Sequence, residues 1–370
     1  MDYQELRCES EKYKDTMSNT ERMMAYMKGE EVDRIPFTFS GNDTLISLYG
    51  YTMEQFRESF EVQCEMVRNI ERDFGVFAAG VGPGLKGIGG ALGSKVIYPE
   101  NSIEYVDEHV LKDYSDLAKM KVVDPYTNPV LKKMMDRIRN YREVFGEKLP
   151  IGTGVAGPLS TAIAIRKTEL VMRDMIKNKE KLHELLDYSV KCNLAWVQAL
   201  KDEFGIVGVG LADPATSTSL ISEKQFDEFT TPHMKDLLEG IVKITGREPG
   251  LHICGKTKAI WHKLSDIGFK TFSVDNYEDL EELKLAVGDK MSISGNVPPV
   301  EVLKNGSIDD VIESVRQCLL KGSDSPMGYT LAVGCQIPLG VPRENLEAYM
   351  FAARKYGRGA QKGKLCKGLL

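Results

Sequence analysis

The sequence predicts a single (β/α)8 barrel, and three observations carry that prediction. Short, apolar, β-rich runs recur along the chain, amphipathic helical patterns separate them, and the runs number eight, which is the number that closes a barrel of parallel strands. A length of 370 residues suits one such unit. A doubly wound open sheet is the other architecture that the same alternation permits.

In chain order, residues 1–30 read as a polar N-terminal extension with one helical pattern at 19–28, opened by Ser18 or Asn19 as the capping residue. The first strand is expected at 35–40, ending in a Gly41-Asn42-Asp43 turn, with a helix following around 53–74. A second strand at 75–81 runs into a glycine cluster at 80–93. A hairpin of 95–98 and 102–105 then interrupts the repeat. The remaining strands are expected at 149–155, 206–211, 249–254, 269–274, 291–294 and 329–333, with helices such as 174–203 between them. The barrel therefore spans 31–357, and the Lys- and Arg-rich residues 358–370 read as a flexible solvated tail.

Composition narrows the function classes. Apolar residues make up 42% and charged residues 28%, as in an ordinary soluble protein, and a formal net charge of -6 argues against a nucleic-acid surface. No run approaches the roughly 20 apolar residues that a membrane helix needs. Residues 1–15 are polar and lack the apolar core of a signal peptide, so a cytoplasmic location is expected. Seven widely spaced cysteines are an odd number, which favours free thiols or metal ligands over disulfides. Cys64, Cys192 and Cys318 fall in helical apolar patterns and read as core residues, and Cys8 and Cys366 fall in expected tails. Cys254 and Cys335 stand at strand ends.

The active site of such a barrel lies at the carboxyl ends of its strands. The first strand delivers Asn42 and Asp43 there, the fourth Asp213, the fifth His252 and Cys254, the sixth Asp275 and Asn276, the seventh Asn296 and the eighth Cys335 and Gln336. His252 and Cys254 are two residues apart and share a strand face. With Cys335 they offer two thiolates and an imidazole, a set that suits zinc better than magnesium or calcium. Three protein ligands leave one position open, as in catalytic rather than structural zinc sites. Buried apolar thiols beside a hydrogen-bonded histidine are the alternative at this point. Asp213, Asp275 and Asn296 are candidates for holding substrate or for supporting the ligands; no separate general base is assigned. His109, His183, His233 and His262 read as solvated or capping residues.

Two dinucleotide-like spacings, Gly82-x-Gly84-x-x-Gly87 and Gly152-x-Gly154-x-x-Gly157, follow apolar runs. The first leads into further glycines and the hairpin, and the second lacks an acidic strand end about 20 residues on, so both read as barrel loops.

With these residues in view, the chain resembles the uroporphyrinogen decarboxylase superfamily from Asp33-Arg-Ile-Pro36 to about Gly357. The most specific stretches are Ile293-Ser-Gly-Asn-Val-Pro-Pro299 and Gly334-Cys-Gln-Ile-Pro-Leu-Gly-Val-Pro-Arg-Glu-Asn345. The resemblance implies a (β/α)8 barrel of that type. It departs from the decarboxylase itself, whose first-strand loop carries arginines where this chain reads Phe39-Ser-Gly-Asn-Asp43, and whose final strand ends in Gly-His-Gly-Ile where this chain has Cys335. It is closer to the corrinoid-dependent branch, the methylcobamide:coenzyme M methyltransferases, whose zinc pattern falls on His252, Cys254 and Cys335. That likeness implies a zinc-dependent methyl transfer between a corrinoid (methylcobalamin or a separate corrinoid protein) and a small acceptor such as a thiol or tetrahydrofolate. A decarboxylase-like lyase acting on a tetrapyrrole is the alternative.

Overall fold

In the computed structural model, which describes residues 1–39, 42–100, 102–206 and 208–370, the parallel strands are arranged as the alternation requires. Eleven strands are formed among the described residues: β1 (Val32–Arg34), β2 (Ala79–Gly80), β3 (Lys95–Ile97), β4 (Tyr105–Glu108), β5 (Ile151–Ala156), β6 (Val209–Ala212), β7 (Gly250–Ile253), β8 (Thr271–Val274), β9 (Ser292–Val297), β10 (Tyr329–Val333) and β11 (Arg358–Ala360). Seven of them form one parallel sheet in the order β10-β9-β8-β7-β6-β5-β2. Phe37 adds a parallel bridge to Leu331 on the far side of β10, so the sheet curls into a barrel with eight strand positions. Ser40, Gly41 and Val207, which fall in the expected first strand, its turn and the expected fourth strand, lie outside the described residues, as does the side chain of Asn42.

Local chemistry accounts for the departures from the expected boundaries. The first strand is reduced to a bridge because Pro36 has no N–H; its carbonyl accepts from Leu331 and Thr38 N–H donates back to Leu331. The second begins only at Ala79 because Gly75, at φ 67°, caps the preceding helix Phe60–Phe74 in the left-handed region. That helix is separated from Met53–Glu58 by Ser59, whose extended backbone and hydroxyl cap the second segment. The expected hairpin forms from β3 and β4.

The strands alternate as barrel strands do. Leu211, Leu251, Ile253, Phe272, Val274, Ile293, Leu331 and Val333 are buried against the helical layer, each contributing about 1.5–3 kcal/mol. Positions facing the lumen, among them Gly154, Gly210, His252, Ser273 and Ser294, are small or polar and keep accessible surface. The lumen mouth is therefore open rather than filled.

One expectation is corrected. Residues 358–370, read as a flexible tail, are packed: β11 pairs antiparallel with β1, Cys366 is fully buried and Lys367 meets Glu31 at 2.6 Å. Of the basic side chains there, Lys367 finds an acidic partner in Glu31, and just before them Arg354 reaches Asp15 of the N-terminal extension, which also receives Arg34. Among the described residues, no helix is long and apolar enough to cross a membrane.

Candidate metal centre

The carboxyl end of β7 places His252 and Cys254 on one face, and Cys335 arrives from the end of β10. The chain turns sharply after Cys254 at Gly255, whose φ is +80°, and a Cβ there would stand 2.8 Å from Ser217 Oγ. Only glycine meets both demands. His252 Nε2 lies 3.2 Å from Cys254 Sγ, and the two sulfurs of Cys254 and Cys335 lie 3.4 Å apart as free cysteines. All three side chains are half-buried.

The histidine is oriented by the neighbouring strand. Register pairs His252 with Ser273, and His252 Nδ1 sits 3.0 Å from the Ser273 carbonyl and 3.1 Å from its hydroxyl. A carbonyl can only accept, so Nδ1 carries the proton and Nε2 keeps its lone pair toward the sulfurs. This is the arrangement in which metal-binding imidazoles are held. The edges of a tetrahedral site with bonds of about 2.0–2.3 Å measure roughly 3.3–3.8 Å. The observed separations are close to that before any ion draws the ligands into place.

The two thiols share one short contact and differ in acidity. Cys335 is drawn well below the usual thiol range by the hydrogen bond from Cys254 and by His252, which together outweigh its burial. Cys254 is pushed up by the same hydrogen bond and by burial. A cation replacing the shared proton would release both sulfurs as thiolates.

The remaining expected residues have different surroundings. Asp275 accepts from Gly255 N–H at 2.7 Å and so pins the turn that carries Cys254. Asn296 donates to the carbonyls of Asp275 (3.1 Å) and Glu278 (2.7 Å), holding the loop after β8. Asp213 is fully buried and points away from the lumen, onto the N-terminus of the helix Pro158–Ile165: it accepts from Ser160 N–H (2.8 Å), Ser160 Oγ (2.5 Å) and Leu159 N–H (3.3 Å). Gly157 makes room for it, since a Cβ there would lie 2.1 Å from Asp213 Oδ2.

Burial raises the Asp213 carboxyl to about 6, against the opposing hydrogen bonds from Ser160 and Leu159. Its folded value thus exceeds the unfolded value of about 3.9. The native state holds the proton more tightly, so this contribution is fully present below pH 4 and is lost as pH rises through 6. The stability of the wild type relative to Asp213→Asn should accordingly fall by about 2–3 kcal/mol between pH 4 and 7. Urea unfolding of both proteins across that range measures it, and a pH-independent difference would refute the assignment.

The structure also holds a cavity of about 840 Å³, lined by residues such as Phe39, Asp43, Arg57, Tyr98, Glu104 and Arg137. Asp43 lies against Gln336, the neighbour of Cys335, which brings one wall of the cavity close to the three-residue cluster. Burial raises the Asp43 carboxyl, with Glu104 adding to the effect, and lowers Arg137. Sequence reasoning missed Ser273, Arg57 and Arg137. Polar alternation in Thr271-Phe272-Ser273-Val274 was the signal for Ser273. Neither arginine stands at a strand end. The glycines Gly82, Gly84 and Gly87, read as a barrel loop, line this same cavity, and a five-residue helix, Gly87–Ala91, follows them.

Comparison with known proteins agrees with this construction. The uroporphyrinogen decarboxylase (URO-D) family model matches residues 18–356. The methylcobamide:CoM methyltransferase MtaA of Methanosarcina barkeri is 27% identical over 341 residues, covering 90% of this chain and 97% of its own length. The uroporphyrinogen decarboxylase of Pseudoalteromonas atlantica is 22% identical over 311 residues, covering 82% of this chain and 85% of its own length. A solved structure of a methyltransferase from Methanosarcina mazei superposes with a TM-score of 0.74 at 24% identity, covering 92% of this chain and 99% of its own, which supports the barrel itself. A barrel with small lumen residues, matched over nearly its whole length by one family model, identifies the chain as a member of the uroporphyrinogen decarboxylase (URO-D) family of enzymes.

Proposed function

We propose that this chain is a zinc-dependent methyltransferase that moves a methyl group between a corrinoid and a small thiol. The observation that carries the reading is the convergence of His252, Cys254 and Cys335 at the barrel mouth, their donor atoms all within 4.8 Å of one another, with Cys254 Sγ 3.2 Å from His252 Nε2 and 3.4 Å from Cys335 Sγ. The likeness to methylcobamide:CoM methyltransferase MtaA supports the corrinoid as the partner in the reaction, free or carried on a protein. One imidazole and two thiolates would hold zinc with no net charge. Zinc held there would lower the pKa of an incoming thiol, normally about 8.5, so that it binds as thiolate at neutral pH.

The chain's own residues set the geometry. Ser273 fixes the imidazole, Asp275 holds the turn after Cys254 while Asn296 holds the loop that carries Asp275, and the cavity lined by Arg57 and Arg137 would receive the body of the acceptor. The acceptor sulfur forms a bond to the methyl carbon as the carbon–cobalt bond breaks, and the corrinoid keeps that electron pair. A decarboxylase reading finds less support, because Asp213 is fully buried and its carboxyl is engaged by the N-terminus of the helix Pro158–Ile165.

The test is methyl transfer from methylcobalamin to coenzyme M, homocysteine and tetrahydrofolate in parallel, with zinc content determined on the same protein. Thiol methylation by a stoichiometric zinc protein is expected. Absence of transfer to any acceptor, or zinc content unaffected by Cys335→Ala, overturns the proposal. Asp275→Ala should retain the fold but weaken zinc by about 10–100-fold in a chelator competition, as loss of a residue supporting a ligand generally does.

A further inference from the structure

A second group of ligands sits on the outside of the barrel, between the helices Lys179–Phe204 and Thr231–Thr245. His183 and Asp187 are four residues apart on the first helix, and His233 and Asp236 three apart on the second, so each pair presents one face. Donor atoms of Asp187, His233 and Asp236 all lie within 4.8 Å of one another. His233, expected from its helical pattern to be solvated or a cap, is only 5% exposed. Its Nδ1 lies 2.9 Å from Asp187 Oδ1 yet makes no hydrogen bond, the oxygen standing off the N–H direction. Its Nε2 lies 2.9 Å from His183 Nδ1, and the His183 ring stacks on Phe229 with centroids 4.9 Å apart.

We propose that His233, Asp187 and Asp236 form a second metal site, which takes a divalent first-row transition ion such as Zn2+. A nearly buried imidazole nitrogen without a hydrogen bond, facing two carboxylates, has the donor chemistry of such an ion. Proton placement is consistent: with the Nδ1 lone pair directed at the ion, Nε2–H donates to His183, which positions the ring as outer partners of ligating histidines do. Asp236 forms no ion pair with lysine or arginine among the described residues, and Asp187 pairs only with His233. One nitrogen and two carboxylates are too few ligands for a calcium site, which takes six to eight oxygens. The two helices lead into β6 and β7, so an ion here would fasten together the layer behind the strand that supplies His252.

Equilibrium dialysis against Zn2+ tests the proposal, with Co2+ as a spectroscopic probe of which site is filled. The wild type is expected to bind two equivalents. Asp187→Asn/Asp236→Asn, two exposed conservative changes, should bind one and hold the second at least about 100-fold more weakly, beyond the effect of losing an outer partner. His183→Ala should weaken the second equivalent about tenfold. Sulfur-to-cobalt absorption from the cysteine centre should be unchanged in all three proteins, which keeps failure of one site distinct from failure of the other. One equivalent in the wild type, two undiminished equivalents in the double variant, or displacement by millimolar Mg2+ or Ca2+ overturns the proposal.

Discussion

Replacing Cys335 by alanine is expected to strip zinc from the barrel mouth and to lower kcat/KM for methyl transfer by a factor of about 1000, equivalent to about 4 kcal/mol. The size follows from what the residue does. Its sulfur is the more acidic of the pair and the first to become a thiolate, drawn down by Cys254 and His252. Without it the remaining set is one imidazole and one thiol whose own ionisation is disfavoured by burial. Cys335 is half-buried and follows β10 rather than lying inside it, so the apo fold should survive the change. Unaltered circular dichroism with loss of zinc is the expected combination. Cys335→Ser, which keeps a weaker oxygen donor, should fall between the two. An alanine variant with full zinc and full activity would remove the basis of the proposed mechanism.

Arg166→Ala should cost about 3–5 kcal/mol of stability, a large part of the 5–15 kcal/mol typical of a folded protein. Arg166 and Asp174 are 3% and 0% exposed and meet at 2.8 Å. Asp174 also receives Tyr114 Oη (3.0 Å) and Asn178 Nδ2 (2.7 Å), while Arg166 donates to the carbonyls of Leu111 and Lys112 and lies over the Tyr114 ring. Removing the guanidinium leaves a buried carboxylate without its cation and frees the segment after β4. Because the same excursion supplies Tyr98 and Glu104 to the cavity, KM should rise as well. Urea unfolding gives the first effect and steady-state kinetics the second. Arg166→Leu combined with Asp174→Leu should recover part of the stability, since the cost is an unpaired charge rather than lost volume.

The barrel was legible because its strands are local objects. Six apolar runs from 149 onward each carry a period-two or continuous apolar pattern readable within a few residues, and the ligand positions follow once those runs are parallel. The β1–β11 pair was not legible. It joins three-residue strands more than 300 positions apart, and the basic composition of 358–370 reads as solvent-seeking until Glu31 is seen beside Lys367. The meeting of His252, Cys254 and Cys335 was legible because imidazole and thiol groups at strand ends stand out chemically. Asp213 stands at the expected strand end, but the direction its carboxyl takes was not legible. A carboxylate at a strand end gives no local sign of whether it faces the lumen or the neighbouring helix, and Ser160, more than 50 residues earlier, decides it. His233 was read as solvated or capping because its burial is created by the helix Lys179–Phe204, which brings His183 against it, not by its own helical pattern.

The contact between His252 Nδ1 and the Ser273 carbonyl has a consequence for inheritance. The group that fixes the imidazole is main chain, so no substitution at position 273 can delete it, and replacing Ser273 by alanine should leave the ring orientation intact. What secures the imidazole is the pairing of residue 252 with residue 273, set by the apolar neighbours Leu251, Ile253, Phe272 and Val274. Point mutations in the lumen can therefore drift toward new substrates while the imidazole keeps its tautomer. Insertion or deletion of a single residue in either strand, which would turn His252 to the other face, is the change that lineages of this chain should not tolerate.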